Sequence, residues 1–231
     1  MEQLRISAKV LGQMAMPDFC ERCFWIKLHA RTLPWQIFPG IFSTIDAYTK
    51  KIVHAWIDRN AGSPKFLEDY GVTGYQKCPH WSKFNMETKY GITLSGAVDD
   101  IWTVPDGIVI PDYKTAKFTA NADKLIPMYR VQLNGYAKIA EATGLGKVVA
   151  IPLIYMVPQT DPEDVKTGWG LDRFKMDFIP HILPLEFEDI DPLLEKARKL
   201  HDGPVPARGE ECKDCAALND ITLKTEGEPY P

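Results

Sequence analysis

Asp99, Asp112 and Lys114 are the residues whose types and spacing could carry out chemistry. They stand in Gly96-Ala97-Val98-Asp99 and in Pro111-Asp112-Tyr113-Lys114. Residues two apart in a strand share a face, so Asp112 and Lys114 project together while Tyr113 points the other way. Two carboxylates make a hard oxygen site for Mg²⁺ or Mn²⁺ with positions left for water and a phosphate oxygen. Such a cation lowers the pKa of bound water and offsets charge in a transition state. Lys114 could then orient the water or stabilise the developing oxyanion, with the cation favouring its neutral form. The set suits phosphodiester hydrolysis. An isolated D-x-K is common by chance and reads as solvated cross-strand charges. The upstream G-x-x-D and the strand context set this one apart.

These side chains need particular elements to bring them together. The run YGITLSGAVDDIWTVPDGIVIPDYKTAK holds two β-rich stretches around a Pro-Asp-Gly turn. We read it as a hairpin, approximately 92–103 and 107–115, which delivers Asp99 beside Asp112. A helix near Pro127–Thr143 follows, with Pro127 in its first turn and Gly144 as its stop. Gln132 and Tyr136 lie four apart on one face of it. Upstream, Ile41, Ile45, Tyr48, Ile52 and Trp56 recur at helical spacing as an apolar stripe. His54 falls roughly 200° from Ile52 on that helix, off the stripe. Residues 5–15 read as a short helix, and a second begins near Pro17. VVAIPLIYMV is a buried strand, RFKMDFIPHILPLEF one or two edge strands, and DPLLEKARKLHDG a late amphipathic helix. Residues 217–231 read as a polar, poorly ordered tail.

The string SGAVDDIW…DGIVIPDYKTAK…YRVQLNGYAKIAE resembles the RecB-type branch of the PD-(D/E)XK nucleases. That branch includes CRISPR-associated RecB-like exonucleases and the nuclease domains of bacterial helicase–nucleases. Its pattern of G-x-x-D, (D/E)-x-K and Q-x-x-x-Y occurs here in order. The resemblance implies an α/β fold of the restriction-endonuclease type, a mixed central sheet flanked by helices. It implies that Asp99 and Asp112 bind metal, that the Tyr113 carbonyl adds a ligand, that Lys114 is catalytic, and that Gln132 and Tyr136 form the next motif. The family also supplies a metal-binding His from an upstream helix in a G-x-x-x-H setting. His54 lacks that glycine, and Asp46, in FSTIDAYTK, is the alternative ligand.

Four of the five cysteines form two C-x-x-C pairs, Cys20 with Cys23 and Cys212 with Cys215. Together they supply four ligands, enough for Zn²⁺ or for an iron–sulfur cluster. Spacing does not separate the two. Relatives of the RecB type hold a cluster through one N-terminal and three C-terminal cysteines, and FCERCFWIKL and ECKDC resemble those segments. The resemblance puts a four-iron cluster first, with zinc or a two-iron cluster as competitors; the two-plus-two division is this chain's departure. Such a centre would clip segments 17–31 and 205–216 together over one nuclease domain spanning 1–216. Cys78, beside His80, is left as a spare thiol.

At 231 residues, with 45% hydrophobic and 25% charged, the chain has the make-up of an ordinary globular protein able to bury a sizeable core. No apolar run approaches a membrane span. The N-terminal stretch lacks the pattern of a secretory signal, so the expectation is a cytoplasmic protein with no membrane partner. An odd cysteine count in that setting does not suggest a disulfide framework. A net charge of −4 argues against nucleic-acid binding by bulk charge, but residues 1–60 are net basic and 201–231 net acidic. Aromatics Phe24, Trp25, Trp35, Phe38 and Phe42 alternate with Arg22, Lys27, Arg31, Lys50 and Lys51, a mixture suited to single-strand stacking as well as to an ordinary helical core. The expected partner is DNA, single-stranded ahead of duplex. The reading is an exonuclease on single-stranded ends, with proteins of CRISPR adaptation or DNA repair as possible partners. The alternative is a non-catalytic DNA-binding or complex-assembly module that uses the metal centre as scaffold.

Overall fold

Pro111 interrupts what reads in the sequence as one strand. The computed structural model describes residues 3–30, 40–60, 62–119, 122–159 and 177–227. In it the second half of the expected hairpin is two short strands, β6 (Gly107–Val109) and β7 (Asp112–Thr115). Both run parallel to the long strand β8 (Val148–Pro158), with Ile108 opposite Val148 and Asp112 opposite Leu153. Proline has no N–H to give to a ladder, and the register slips just before it, between Ile108 and Val109. The true hairpin is small: β5 (Trp102–Val104) pairs with β6, and β2 (Gly74–Tyr75) extends it. β9 (Phe178–Leu185) pairs antiparallel with the other side of β8. It carries Pro180 and Pro184, which an edge strand tolerates. The sheet is mixed, with order β2-β5-β6-β8-β7 and β9 alongside β8.

A second, three-stranded sheet has order β1-β4-β3. β1 (Leu4–Ser7) lies parallel to β4 (Ile92–Ser95), and β3 (Asn85–Glu87) lies antiparallel to β4. The helix expected over 5–15 is therefore strand first, because Leu4 and Ile6 alternate into the core. Helix α1 (Ala8–Gly12) starts only after Ser7, whose hydroxyl accepts from the Val10 amide.

Helices cover both faces. The period of two divides the strands cleanly: Ile108, Ile110, Ile151, Leu153 and Tyr155 join the core under α1, α4 (Ile126–Ala142) and α5 (Asp191–Asp202). Val109, Tyr113 and Ile154 face α3 (Gly40–Asn60) through Val53 and Ile57. α1 and α4 approach closely at two small residues. A Cβ on Gly135 would stand 2.6 Å from the Ala8 Cβ, and one on Gly12 would stand 2.4 Å from the Met128 carbonyl oxygen.

Two expectations about helices are corrected. The stripe of Ile41, Tyr48, Ile52 and Trp56 is the exposed side of α3. Thr49, Val53 and Ile57 are buried instead. Asp46, Lys50 and His54, half-buried, lie on the inner side with them, so this face of the helix mixes polar and apolar residues. Residues 217–226 of the expected tail belong to helix α6 (Lys213–Glu226), ended by Gly227 at positive φ; residues 228–231 lie outside the described residues. It packs beside α2 (Glu21–His29).

Candidate active site

Asp99, Asp112, Lys114, Gln132, Tyr136 and Asp46 line one cleft of about 560 Å³. Asp99 is not on a strand; it sits in the bend that leads from β4 to β5. Four hydrogen bonds fix that bend. Its Oδ2 accepts from the Tyr113 amide at 3.0 Å, and its carbonyl accepts from Lys50 Nζ at 2.7 Å. The next residue, Asp100, is fully buried and accepts from the Ile101 amide and from Trp102 Nε1. Gly96 opens the way to this bend. A Cβ there would lie 2.5 Å from the Tyr136 ring, so only glycine lets Tyr136 reach the cleft floor.

Asp112 opens β7 and is buried. Its Oδ2 is ion-paired with Lys114 Nζ. Its Oδ1 accepts from Gln132 Nε2 at 2.9 Å, and the same nitrogen lies 2.9 Å from the Tyr136 hydroxyl. The alternation of β7 thus puts Asp112 and Lys114 toward α4, and the four-residue spacing on α4 brings Gln132 and Tyr136 to meet them. The Tyr113 ring goes to the opposite face, where its hydroxyl reaches Asp100 Oδ2 at 3.4 Å.

The electrostatics are those of an acidic site short of positive charge. Burial and the Asp112 carboxylate push Asp99 up to about 7, against the opposing pull of Lys114 and the Tyr113 amide. Burial disfavours charge on Lys114, but Asp112 and Asp99 outweigh it and hold the amine above the ordinary lysine range. Burial raises Asp46 as well, opposed by Thr115, which donates to Asp46 Oδ1 at 2.9 Å, and by Lys114. Gln132 Oε1 is buried with no hydrogen-bond partner among the described residues. The carboxylates of Asp46, Asp99 and Asp112 and the orphan amide oxygen of Gln132 form an oxygen donor set that fits a hard divalent cation. Asp99 and Asp112 would hold it, with Asp46 at the rim.

His54 is not part of this cleft. Its Nε2 pairs with Asp100 at 2.8 Å, and its ring stacks on Tyr75 with centroids 3.6 Å apart. With these partners His54 serves a buried carboxylate one residue beyond Asp99. Tyr129 and Lys9 line the cleft without having been singled out. Tyr129 was legible in principle, since 129, 132 and 136 share a helical face. Its ring lies 4.9 Å from Lys114 Nζ. Lys9 arrives from the other end of the chain, with no local signal.

The N-terminal aromatic and basic residues do other work. Phe24 is core, Arg22 donates to the Pro206 carbonyl, and Trp25 donates to the Gly203 carbonyl and stacks on His29. Lys27 donates to Gln13, and Lys50 Nζ also lies 2.9 Å from Cys78 Sγ. Lys51 is exposed. Arg31, Trp35, Phe38 and the Phe42 side chain lie outside the described residues.

Cys20, Cys23, Cys212 and Cys215 come together, their sulfurs all within 4.8 Å of one another. Each pair begins a helix: Cys20 caps α2 and Cys212 caps α6, with the second cysteine in the first turn. Helix starts favour thiolate. Burial opposes ionisation of Cys20, but the Cys23 and Gly209 amides and the neighbouring thiols bring it down to about 7. Burial and those neighbours raise Cys23.

A cleft where carboxylates converge on Lys114, on a mixed sheet between helices, is the architecture of a metal-dependent nuclease. The chain belongs to the PD-(D/E)XK nuclease superfamily, whose family model matches residues 46–219. Among solved structures, the crystal structure of SSO0001 is similar over 100% of this chain and 90% of its own, at 11% identity and a TM-score of 0.44. Curated proteins give no match. Among the described residues no helix is long and apolar enough to cross a membrane.

Proposed function

We propose that this protein is a Mg²⁺- or Mn²⁺-dependent deoxyribonuclease of the RecB type that degrades DNA from single-stranded ends, in CRISPR adaptation or DNA repair. The observation that carries the catalytic reading is the convergence of Asp99, Asp112 and Lys114 in one cleft, with Gln132 bonded to Asp112. The ordered motifs on β7 and α4 support the RecB branch. Tyr129 at the cleft wall is a surface on which an unpaired base could stack, which favours single strands.

The cation, when bound, supplies an acidified water and charge compensation at the phosphate. The protein's own groups do the rest. Gln132 Nε2 fixes Asp112 through Oδ1 and so aims Oδ2 into the cleft. The Tyr113 amide fixes Asp99 in the same way. Lys114 is protonated and held between Asp112 and the Tyr129 ring, where Nζ can donate to a phosphate oxygen or to the attacking water. Tyr136 and the buried strands beneath exclude bulk water from the cleft floor.

The test is cleavage of end-labelled linear single-stranded DNA, circular single-stranded DNA and duplex DNA, with Mn²⁺, with Mg²⁺ and with chelator. Expected is metal-dependent degradation of the linear single strand, abolished by Asp112→Asn. Absence of metal-dependent cleavage on every substrate would overturn the nuclease reading in favour of a non-catalytic binding module. Equal loss of the circular substrate would overturn the exonuclease reading alone.

A further inference from the structure

We propose that the four-cysteine cage holds a single tetrahedral thiophilic ion, Zn²⁺, and not an iron–sulfur cluster. Cys23 Sγ lies 3.5 Å from Cys212 Sγ and 3.5 Å from Cys215 Sγ, and Cys20 Sγ lies 3.6 Å from Cys215 Sγ. No pair of these sulfurs exceeds 4.8 Å. Four thiolates bound to one zinc at about 2.3 Å stand about 3.8 Å apart along the edges of their tetrahedron. Three of the six edges of the cage lie just below that value and the others stay within 4.8 Å, a span suited to one ion.

A cluster needs a larger cage. In a four-iron cluster each thiolate binds its own iron, so a core of iron and sulfide stands between the sulfurs and keeps every pair out of contact. In a two-iron cluster the thiolates divide into two pairs, one on each iron, at opposite ends. The three close contacts run Cys212 to Cys23 to Cys215 to Cys20. However the four are divided into pairs, at least one of these contacts joins sulfurs that a two-iron cluster would separate. A Cβ on Gly209 would stand 3.1 Å from the Cys212 Cβ and 3.4 Å from Cys20 Sγ, so this loop is closed against the sulfurs. The two halves also match one another, each a C-x-x-C at the start of a helix, α2 and α6. Two such turns facing each other chelate one ion symmetrically, and each helix start offsets part of the negative charge of a four-thiolate zinc.

The function that follows is a redox-silent clip. Zinc has no accessible redox change, so the link between the α2 and α6 segments would tolerate air, and its strength would depend on chelators and thiol reagents. This inference does not rest on the nuclease reading, because it is read from metal content without DNA.

The test uses the full chain, expressed with an iron supply and a cluster-assembly system and purified anaerobically. Metal analysis and acid-labile sulfide are measured on the native protein. Expected are about one tightly held zinc per chain, no stoichiometric iron or sulfide, and a colourless solution. Protein grown on Co²⁺ should show the intense visible bands of tetrahedral cobalt thiolate, which report on the wild-type cage without any substitution. Cys23→Ser should lose the zinc and melt at lower temperature. Stoichiometric iron with labile sulfide and a brown absorption would overturn the proposal. So would four freely titrating thiols with no retained metal and no cobalt–thiolate bands.

Discussion

The amide of Tyr113 donates to Asp99 Oδ2 across 3.0 Å, and through this bond the first motif is fastened to the strand that carries the second. The bond favours the ionised form of Asp99, yet burial and Asp112 prevail and push that carboxyl up to about 7. A proton is thus retained that a divalent cation would displace. Mn²⁺ affinity should rise about tenfold per pH unit below about 7 and level off above it. The stability sign is the reverse for the metal-free protein. The folded pKa lies above the unfolded value of about 3.9, so the folded state binds the extra proton between about 4 and 7. Stability therefore falls as pH rises through that window, and Mn²⁺ should flatten the fall. Calorimetric titration and thermal melting across the window check both, and an Mn²⁺ affinity independent of pH would count against the assignment.

Asp46 and His54 should separate cleanly. They lie eight positions apart on α3, about 12 Å along its axis, and have different partners, Thr115 for Asp46 and Asp100 for His54. Asp46→Ala should weaken Mn²⁺ binding and activity with a small change in melting temperature. His54→Ala should leave Mn²⁺ affinity unchanged. It strips a partner from Asp100, which is fully buried, and should cost about 1–3 kcal/mol of stability. Loss of Mn²⁺ affinity in the folded His54→Ala protein would reverse the assignment.

How much of this was legible in the sequence follows from which contacts are local. Asp112 with Lys114, and Gln132 with Tyr136, are set by the strand and helix periods, and both pairs meet as their spacing implies. The C-x-x-C pairs are local too, and the cage joins them as a four-ligand set. The inner face of α3 was misread because half-buried polar residues flank Val53 and Ile57 on it: Asp46, Lys50 and His54 answer to Thr115, Asp99 and Asp100, residues fixed only by tertiary structure. The apolar stripe of Ile41, Tyr48, Ile52 and Trp56 pulled the reading to the wrong side. The break at Pro111 was visible as a proline, but the choice of β8 as the parallel neighbour of both half-strands depends on packing. Asp99 in a bend, not a strand, follows from Asp100 turning inward to a buried polar network.

Gly96→Ala tests the close approach beneath the cleft. The added methyl would meet the Tyr136 ring at 2.5 Å and Phe84 at 3.1 Å. Tyr136 must move, and its hydroxyl then leaves Gln132. The expected cost is about 1–3 kcal/mol of stability together with a fall in activity, because Gln132 no longer holds Asp112 in one position. Denaturant unfolding and turnover measured on the same preparation check it. Tyr136→Phe gives the milder comparison, removing only the hydroxyl contact, at about 1 kcal/mol.

Lys114→Met distinguishes a catalytic amine from a merely structural counter-ion. Asp112 Oδ2 is paired with Lys114, so removing the amine leaves two buried carboxylates facing each other with less positive charge nearby. A cation should then bind at least as tightly as in the parent, because it replaces the charge that was lost. Turnover should nevertheless fall by about 10²–10³, the effect of deleting one donor to a developing oxyanion. Mn²⁺ titration and single-turnover cleavage on saturating DNA separate the two effects. If Lys114 served only to balance charge, saturating Mn²⁺ would restore the parental rate, and that outcome would remove Lys114 from the catalytic group.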